Sequence, residues 1–128
     1  LIMRYKSEYF MDYKNSILSE NDKTHKIAIV FSGIANDDSF IKLIKAEDIE
    51  ILSITKYADH YNYEAEDIDF LISKFSKGCM YLTTEKDFVK IRKFENFIQN
   101  YPVYYLKLKT EITVNSELVN KLLDKVLL

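Results

Sequence analysis

The sequence contains few of the residues that usually crosslink a chain or shape its turns. It has 128 residues, of which one is cysteine, one is proline and two are glycine, and it has no tryptophan. A single cysteine excludes a disulfide framework, so we expect a reducing compartment, the cytoplasm. This cysteine, Cys79, lies within an apolar run, which predicts a buried and inert thiol. With so little glycine and proline, the turns must depend on asparagine, aspartate and serine.

The balance of charge and hydropathy excludes two further classes of protein. The chain has 18 basic and 20 acidic residues, a formal net charge of −2, whereas a nucleic-acid-binding domain needs a basic patch. We therefore expect no nucleic-acid partner. No apolar stretch approaches the ~20 residues of a membrane-spanning helix, and no signal peptide is recognisable. The hydrophobic fraction of 48% supports one soluble, globular domain.

Apolar runs typical of strands alternate with helical patterns along the chain. The runs lie at residues 26–31, 50–55, 79–83 and 103–108, and the helical patterns at 37–46, 64–76, 84–98 and from 115 or 116 onward. This alternation predicts an α/β fold, a three-layer Rossmann-like domain with a mostly parallel sheet and helices on both faces. Residues 1–15 fit a helix by their tyrosine spacing and a strand by their composition, and we favour the strand.

Residues at the ends of these segments predict where the helices begin and end. Ser32-Gly33 is expected to turn the chain after the first buried strand, and Asn36 is a suitable N-cap for the helix that follows. Gly78 is placed to end the second helix. Thr84 and Asp87 form a variant of the capping box, which predicts the start of the third helix.

The chain lacks the loops that bind nucleotide phosphates. No Gly-x-x-x-x-Gly-Lys-Ser/Thr sequence occurs. Gly33 lies between a strand and a helix, as in a dinucleotide-binding turn, but Ala35 stands where a second glycine would be. Asp37 and Asp38 place negative charge where a phosphate would bind. We therefore expect neither a cofactor site nor a metal site in this chain, and a structural role for the turn at Gly33.

Two polar stretches follow the second and third buried strands. Asp59-His60 is the one obvious acid/base pair, and histidine titrates near neutral pH without special help. Thr83-Thr84-Glu85-Lys86-Asp87 closes the next strand. Both stretches are expected at the carboxyl edge of the sheet, where ligands and catalytic groups gather in open α/β folds. The alternatives are a solvated loop histidine and an ordinary capped helix, with the nearby tyrosines covering the sheet edge.

These stretches resemble a known family. Asp59-His60-Tyr61-Asn62-Tyr63 followed by Thr83-Thr84-Glu85-Lys86-Asp87 is similar to the C-terminal part of the lipid A 4′-kinases (tetraacyldisaccharide 4′-kinases). Phe31-Ser32-Gly33-Ile34-Ala35-Asn36 resembles the Gly-Ile-Gly-Asn-Pro turn of that family. The three motifs occur in the family's order. Many members have a second histidine where this chain has Tyr61.

The resemblance implies a place within a larger enzyme. Residues 1–22 would be a linker strand and loop from a missing N-terminal domain, and residues 23–128 the C-terminal α/β domain. The parent would transfer the γ-phosphate of ATP, with Mg²⁺, to the 4′-hydroxyl of a tetraacyldisaccharide 1-phosphate at the cytoplasmic face of the bacterial inner membrane. The N-terminal domain, a P-loop kinase domain, would bind ATP and Mg²⁺. This chain, which begins at Leu1 rather than at a methionine, would be an inactive fragment when alone.

The resemblance also implies roles for individual residues. His60 would orient and tune an aspartate of the first domain that acts as base on the sugar hydroxyl. Asp59 would support His60 by bonding to it or to a neighbouring backbone amide. The other candidates for the cleft or the domain interface are Tyr61, Tyr63, Thr84, Glu85, Lys86 and Asp87.

Two other functions remain open at this point. A non-catalytic Rossmann-like binding or interaction module would tolerate the loss of His60. A free-standing nucleotide-binding domain would bind ATP by itself, and the missing phosphate loop argues against it.

Overall fold

Five strands form a single mixed sheet in the computed structural model, which describes the backbone of residues 2–19, 27–33 and 37–114. The strands are β1 (Ile2–Met11), β2 (Ile27–Gly33), β3 (Glu50–Tyr57), β4 (Cys79–Thr84) and β5 (Val103–Val114). Their order in the sheet is β1-β5-β4-β2-β3. Strands β2 to β5 run parallel, and β1 pairs antiparallel with β5 at one edge. The expected α/β fold with a mostly parallel sheet is confirmed.

Four helices connect the strands in the part of the chain that the structure describes. They are α1 (Asp37–Ala46), α2 (Ala65–Ser73), α3 (Glu85–Ile91) and α4 (Glu95–Asn100). Helix α2 begins where the backbone N–H of Glu64 donates to Asp67 at 2.8 Å. Helix α3 begins at the Thr84 cap, whose hydroxyl accepts from the Asp87 backbone N–H at 3.2 Å. Among the described residues, no helix has the length and hydropathy needed to cross a membrane.

Two hydrophobic cores lie on opposite faces of the sheet because side chains alternate along each strand. In β2, Ile29 and Phe31 face the core to which α2, α3 and α4 contribute. Ala28 and Val30 face the opposite core, to which α1 contributes. The central strands are buried on both faces, as their continuous apolar runs predict. The three-layer arrangement follows from these two cores.

Several predicted boundaries differ from the structure. Ser32 and Gly33 do not turn the chain but complete β2, since both pair with β3. The second helix ends at Ser73 instead of residue 76, because Phe75 leaves the helix and stacks on the Tyr81 ring at 5.9 Å. Gly78, with a φ of 92°, therefore lies in the turn before β4 and does not end the helix.

At the ends of the chain, the predictions have mixed outcomes. The strand favoured for residues 1–15 is confirmed as β1. Strand β5 continues past residue 108 to Val114, because β1 extends its edge and pairs Ile2 with Val114. The predicted cap at Asn36 and the predicted helix from residue 115 or 116 lie outside the described residues.

An aromatic group occupies the middle of the larger core. Tyr81 has no exposed surface, and its ring centre lies 4.9 Å from that of Phe97. Its hydroxyl donates to the Leu71 carbonyl oxygen at 2.7 Å, which gives the buried hydroxyl a partner in the last turn of α2. Tyr57 is also buried, but its hydroxyl has no hydrogen-bond partner among the described residues. The two tyrosines thus offer a matched pair, with and without a partner for the hydroxyl.

Removal of the hydroxyl is expected to change the free energy of unfolding differently at these two positions. Tyr81→Phe should lower the free energy of unfolding by about 1 kcal/mol, because the buried hydrogen bond to the Leu71 carbonyl is lost. Tyr57→Phe should leave it unchanged or raise it by up to ~1 kcal/mol, because a desolvated hydroxyl without a partner is removed. Urea unfolding of the two variants beside the wild type measures both changes. A larger loss in Tyr57→Phe than in Tyr81→Phe would contradict these assignments.

Candidate functional site

The carboxyl ends of β2, β3 and β4 lie side by side, so the segments that leave them meet at one edge of the sheet. Strand β2 ends at Gly33, β3 at Tyr57 and β4 at Thr84. The segment after β3 contains the Asp59-His60 pair, and α3 begins directly after β4. The two polar stretches found in the sequence therefore come together, as expected for parallel neighbouring strands.

A buried carboxylate joins these three strand ends. Asp87 is only 5% exposed. One of its oxygens, Oδ2, accepts from the Gly33 backbone N–H at 3.1 Å and from the Thr84 hydroxyl. The other, Oδ1, accepts from the Tyr63 hydroxyl at 3.0 Å. Asp87 thus receives one hydrogen bond from the end of β2, one from the end of β4 and one from the segment after β3.

The capping-box interpretation of Thr84 and Asp87 is half correct. Thr84 caps α3 as expected, through the Asp87 backbone N–H. The Asp87 carboxylate instead accepts from the Thr84 hydroxyl and from two groups that are distant in sequence. Asp87 is mostly buried, and its carboxylate is occupied by these donors. A local pattern could not reveal this because Gly33 is 54 residues away.

His60 occupies a tight turn that projects from the same edge. The Tyr61 N–H donates to the Ala58 carbonyl at 3.1 Å, and His60 adopts a φ of 60°. This left-handed conformation is uncommon for residues other than glycine, although histidine is among those enriched in it. The turn presents the His60 side chain to solvent, with 80% of its surface exposed.

Asp59 supports the turn and lies beside the imidazole. Its Oδ1 accepts from the His60 backbone N–H at 3.1 Å, and its Oδ2 lies 3.5 Å from His60 Nε2. Lys86 Nζ lies 3.6 Å from Asp59 Oδ1. The structure therefore brings Asp59, His60 and Lys86 together, and Asp59 is placed for both supporting roles that the sequence suggested.

A small cavity of about 100 Å³ opens beneath the His60 turn. Its lining includes both polar stretches and two residues that the sequence analysis did not assign to the site, namely Gly33 and Lys90. Gly33 contributes its backbone N–H to Asp87. Lys90 follows Lys86 by one helical turn, a spacing that could have indicated it. The complete lining is Gly33, Asp59, His60, Thr84, Lys86, Asp87 and Lys90.

Three tyrosines form a packed layer behind the turn. The ring centres of Tyr57 and Tyr61 are 4.8 Å apart, as are those of Tyr57 and Tyr63. The Tyr61 hydroxyl donates to both oxygens of Asp67 at 2.9 and 2.8 Å. Tyr63 has no exposed surface, so it cannot line an open cleft as suggested, whereas Tyr61 is half-buried.

The environment of these tyrosines keeps them protonated. Burial, with a smaller effect of Asp67, raises the pKa of Tyr57 to about 12. Burial and the neighbouring Asp87 carboxylate raise the pKa of Tyr63 far above its ordinary value. The hydrogen bond to Asp67 raises the pKa of Tyr61. All three hydroxyls are therefore neutral near pH 7 and act as hydrogen-bond donors or packing groups, not as bases.

Glu85 is directed away from the His60 turn. Its Oε2 lies 2.6 Å from Lys107 Nζ, which links the start of α3 to β5 and raises the pKa of Lys107. Glu85 therefore pairs with Lys107 of β5, whereas its neighbour Lys86 pairs with Asp59. Among the described residues, no group of three or more histidine, cysteine, aspartate or glutamate side chains could hold a metal ion.

In the comparison with known proteins, the matching family model and the individual relatives agree. The family model for tetraacyldisaccharide-1-P 4′-kinase matches residues 3–127. The tetraacyldisaccharide 4′-kinase of Pelagibacter ubique is 35% identical over 107 residues, which cover 83% of this chain and 32% of that protein. The corresponding protein of Actinobacillus succinogenes is 35% identical over 99 residues, covering 77% of this chain and 27% of its own length.

The same fold occurs in a solved structure. The crystal structure of an apo form of LpxK from Aquifex aeolicus in complex with ATP superimposes with a TM-score of 0.68 at 22% identity, over 98% of this chain and 36% of that one. The chain spans about a third of the length of the curated relatives that it matches. Because the family model matches nearly all of its residues, this chain belongs to the tetraacyldisaccharide-1-P 4′-kinase family.

Proposed function

We propose that this chain is the C-terminal α/β domain of a lipid A 4′-kinase. The complete enzyme transfers the γ-phosphate of ATP to the 4′-hydroxyl of a tetraacyldisaccharide 1-phosphate in lipid A biosynthesis. The relatives' names and the match to about a third of their length support this proposal. One observation supports a specific site for this function: an exposed histidine, His60, is held at the carboxyl edge of the sheet in a left-handed turn.

His60 acts in this proposal together with a residue from another domain. Its exposed imidazole can reach a carboxylate that approaches from outside the chain, whereas Asp59 already accepts from the His60 backbone. The partner is an aspartate of the preceding domain, which removes the proton from the sugar hydroxyl. A hydrogen bond from His60 orients that carboxylate and changes its pKa. Asp59, paired with Lys86, holds the turn in place.

ATP and Mg²⁺ bind, in this proposal, to an N-terminal P-loop domain of the same protein. The present sequence has no phosphate-binding loop of its own. At the end of β2, where such a turn would offer its amide to a phosphate, the Gly33 N–H donates to the Asp87 carboxylate. A negative carboxylate at that amide disfavours an anionic ligand there. The chain by itself is therefore expected to lack kinase activity.

The proposed acceptor also suggests where the complete enzyme works. A tetraacylated disaccharide is anchored in a membrane by its acyl chains, and its phosphorylation consumes cytoplasmic ATP. We place the complete protein at the cytoplasmic face of the bacterial inner membrane. In this arrangement the present domain forms one wall of the cleft between the two domains, and the lipid disaccharide contacts the His60 edge.

Replacement of the imidazole tests the site in the complete protein. His60→Asn is expected to lower kcat by about a hundredfold, because the aspartate that removes the proton loses the group that orients it. Asparagine tolerates the left-handed conformation of the turn, so the backbone should not change. Phosphorylation of the lipid acceptor with labelled ATP measures kcat. Near-normal turnover would contradict the assignment of His60 and favour a non-catalytic interaction module.

The conformation of the turn gives a separate prediction for stability. His60→Gly should be more stable than His60→Ala by about 1 kcal/mol, because only glycine adopts a positive φ without a steric penalty. Chemical denaturation of the two variants gives the difference in the free energy of unfolding. Equal stabilities would show that His60 does not hold the left-handed conformation in solution. Neither variant has an imidazole, so the comparison is independent of catalysis.

The division of labour between the domains predicts how the chain behaves alone. Isothermal titration with Mg²⁺-ATP should give no saturable binding to residues 1–128, whereas the complete protein should bind. The physical reason is the absence of a loop whose backbone amides and lysine surround the phosphates. Saturable binding of ATP by the isolated chain would favour a free-standing nucleotide-binding domain and would overturn this part of the proposal.

A further inference from the structure

We infer that Asp87 is a positioning residue that fixes the turn carrying His60 and thereby sets the catalytic efficiency of the complete enzyme. The inference rests on the proposed function of His60. Asp87 itself is mostly buried and its two oxygens already accept from three donors, so it would act through the turn. The observations that support it are its three donors, their positions in the chain and the packing between them.

The donors of Asp87 lie on both sides of the His60 turn. Tyr63, three positions after His60, donates its hydroxyl to Oδ1 at 3.0 Å. Gly33 donates its backbone N–H to Oδ2 at 3.1 Å. A methyl group at Gly33 would lie 3.6 Å from Asp87 Oδ1 and 3.7 Å from the Ala58 carbonyl oxygen. Gly33 therefore lies between the carboxylate and the first residue of the turn.

Ring packing transmits the position of Tyr63 to the rest of the turn. The ring centres of Tyr61 and Tyr63 are 5.4 Å apart, and both rings contact Tyr57 at the end of β3. Tyr61 closes the turn through its N–H bond to Ala58. A shift of Tyr63 would consequently displace Tyr61 and change the direction of the His60 side chain. The same aromatic layer prevents the turn from moving independently of the sheet.

A carboxylate suits this position better than an amide of the same shape. Two carboxylate oxygens accept several hydrogen bonds and donate none, which matches three donors. Bonds to an ionised acceptor are also roughly twice as strong as those between neutral groups. Asparagine would direct its amino group toward one of the three donors. Asp87→Asn therefore weakens the hydrogen bonds to Gly33, Tyr63 and Thr84 while it keeps the volume of the side chain.

The decisive experiment is a double-mutant cycle in the complete protein. Asp87→Asn should lower kcat by about tenfold to a hundredfold, the range expected when a catalytic group is displaced by ~1 Å. The KM for ATP should stay unchanged, because ATP binds to the other domain. Added to His60→Asn, the same substitution should lower kcat by less than about twofold, because the group that Asp87 positions is already absent.

A purely structural role predicts a different result. If Asp87 only stabilises the fold, Asp87→Asn lowers kcat by the same factor with and without His60, or raises the KM for ATP as well. Either outcome would overturn the inference. Ile98→Val serves as a control, because it removes one methyl group from the hydrophobic core that contains Tyr63, and Ile98 does not line the cavity. It should destabilise the protein slightly and leave kcat unchanged.

A second variant keeps the test conclusive if Asp87→Asn fails to fold. Tyr63→Phe removes one donor and leaves the Gly33 and Thr84 bonds in place. It should lower kcat by a few-fold when His60 is present and should not change kcat further when it is combined with His60→Asn. Unchanged kcat in Tyr63→Phe, with a large loss in His60→Asn, would overturn the inference and leave the proposed function intact. If His60→Asn itself retains normal kcat, the proposed function and this inference both fail.

Discussion

The constraint on which the carboxyl edge of the sheet depends is the burial of the Asp87 charge. An ionised carboxylate that leaves water loses several kcal/mol of solvation unless protein donors replace the water molecules. Here the donors are a backbone amide from β2, a hydroxyl from the end of β4 and a tyrosine hydroxyl from the segment after β3. Because each donor comes from a different segment, the charge is satisfied only when all three strand ends have reached their native positions.

This constraint explains how an exposed turn can be well defined. The His60 turn has few contacts of its own, since its imidazole is largely exposed. Its neighbours on both sides, however, are held by Asp87 and by the tyrosine layer. The left-handed conformation of His60 stores a small strain, which persists because the surrounding structure determines it. A rigid support beneath an exposed polar group is the arrangement that the proposed role of His60 requires.

The sequence predicts the local features well, but it does not predict the hydrogen bonds of Asp87 that join three strand ends. Hydrophobic periodicity gave the buried strands and the helices, and the Thr84 cap is confirmed. The end of the second helix was wrong, because Phe75 packs on Tyr81 in preference to continuing the helical pattern. The sequence predicts Asp87 as part of a capping box and as a cleft or domain-interface candidate, since nothing local indicates that its carboxylate bonds to Gly33 and Tyr63. The sequence predicts a turn at Gly33, whereas in the structure this residue ends β2 and its amide donates to Asp87.

The amino-acid sequence by itself determined the α/β alternation, the family and the candidate residues Asp59 and His60. These follow from patterns within short windows, where side-chain chemistry and spacing are sufficient. Only the tertiary structure decided that β1 pairs antiparallel with β5, that β4 lies between β5 and β2, and that the three strand ends share one carboxylate. The physical reason is that strand pairing and the desolvation of a charge depend on groups brought together from distant parts of the chain.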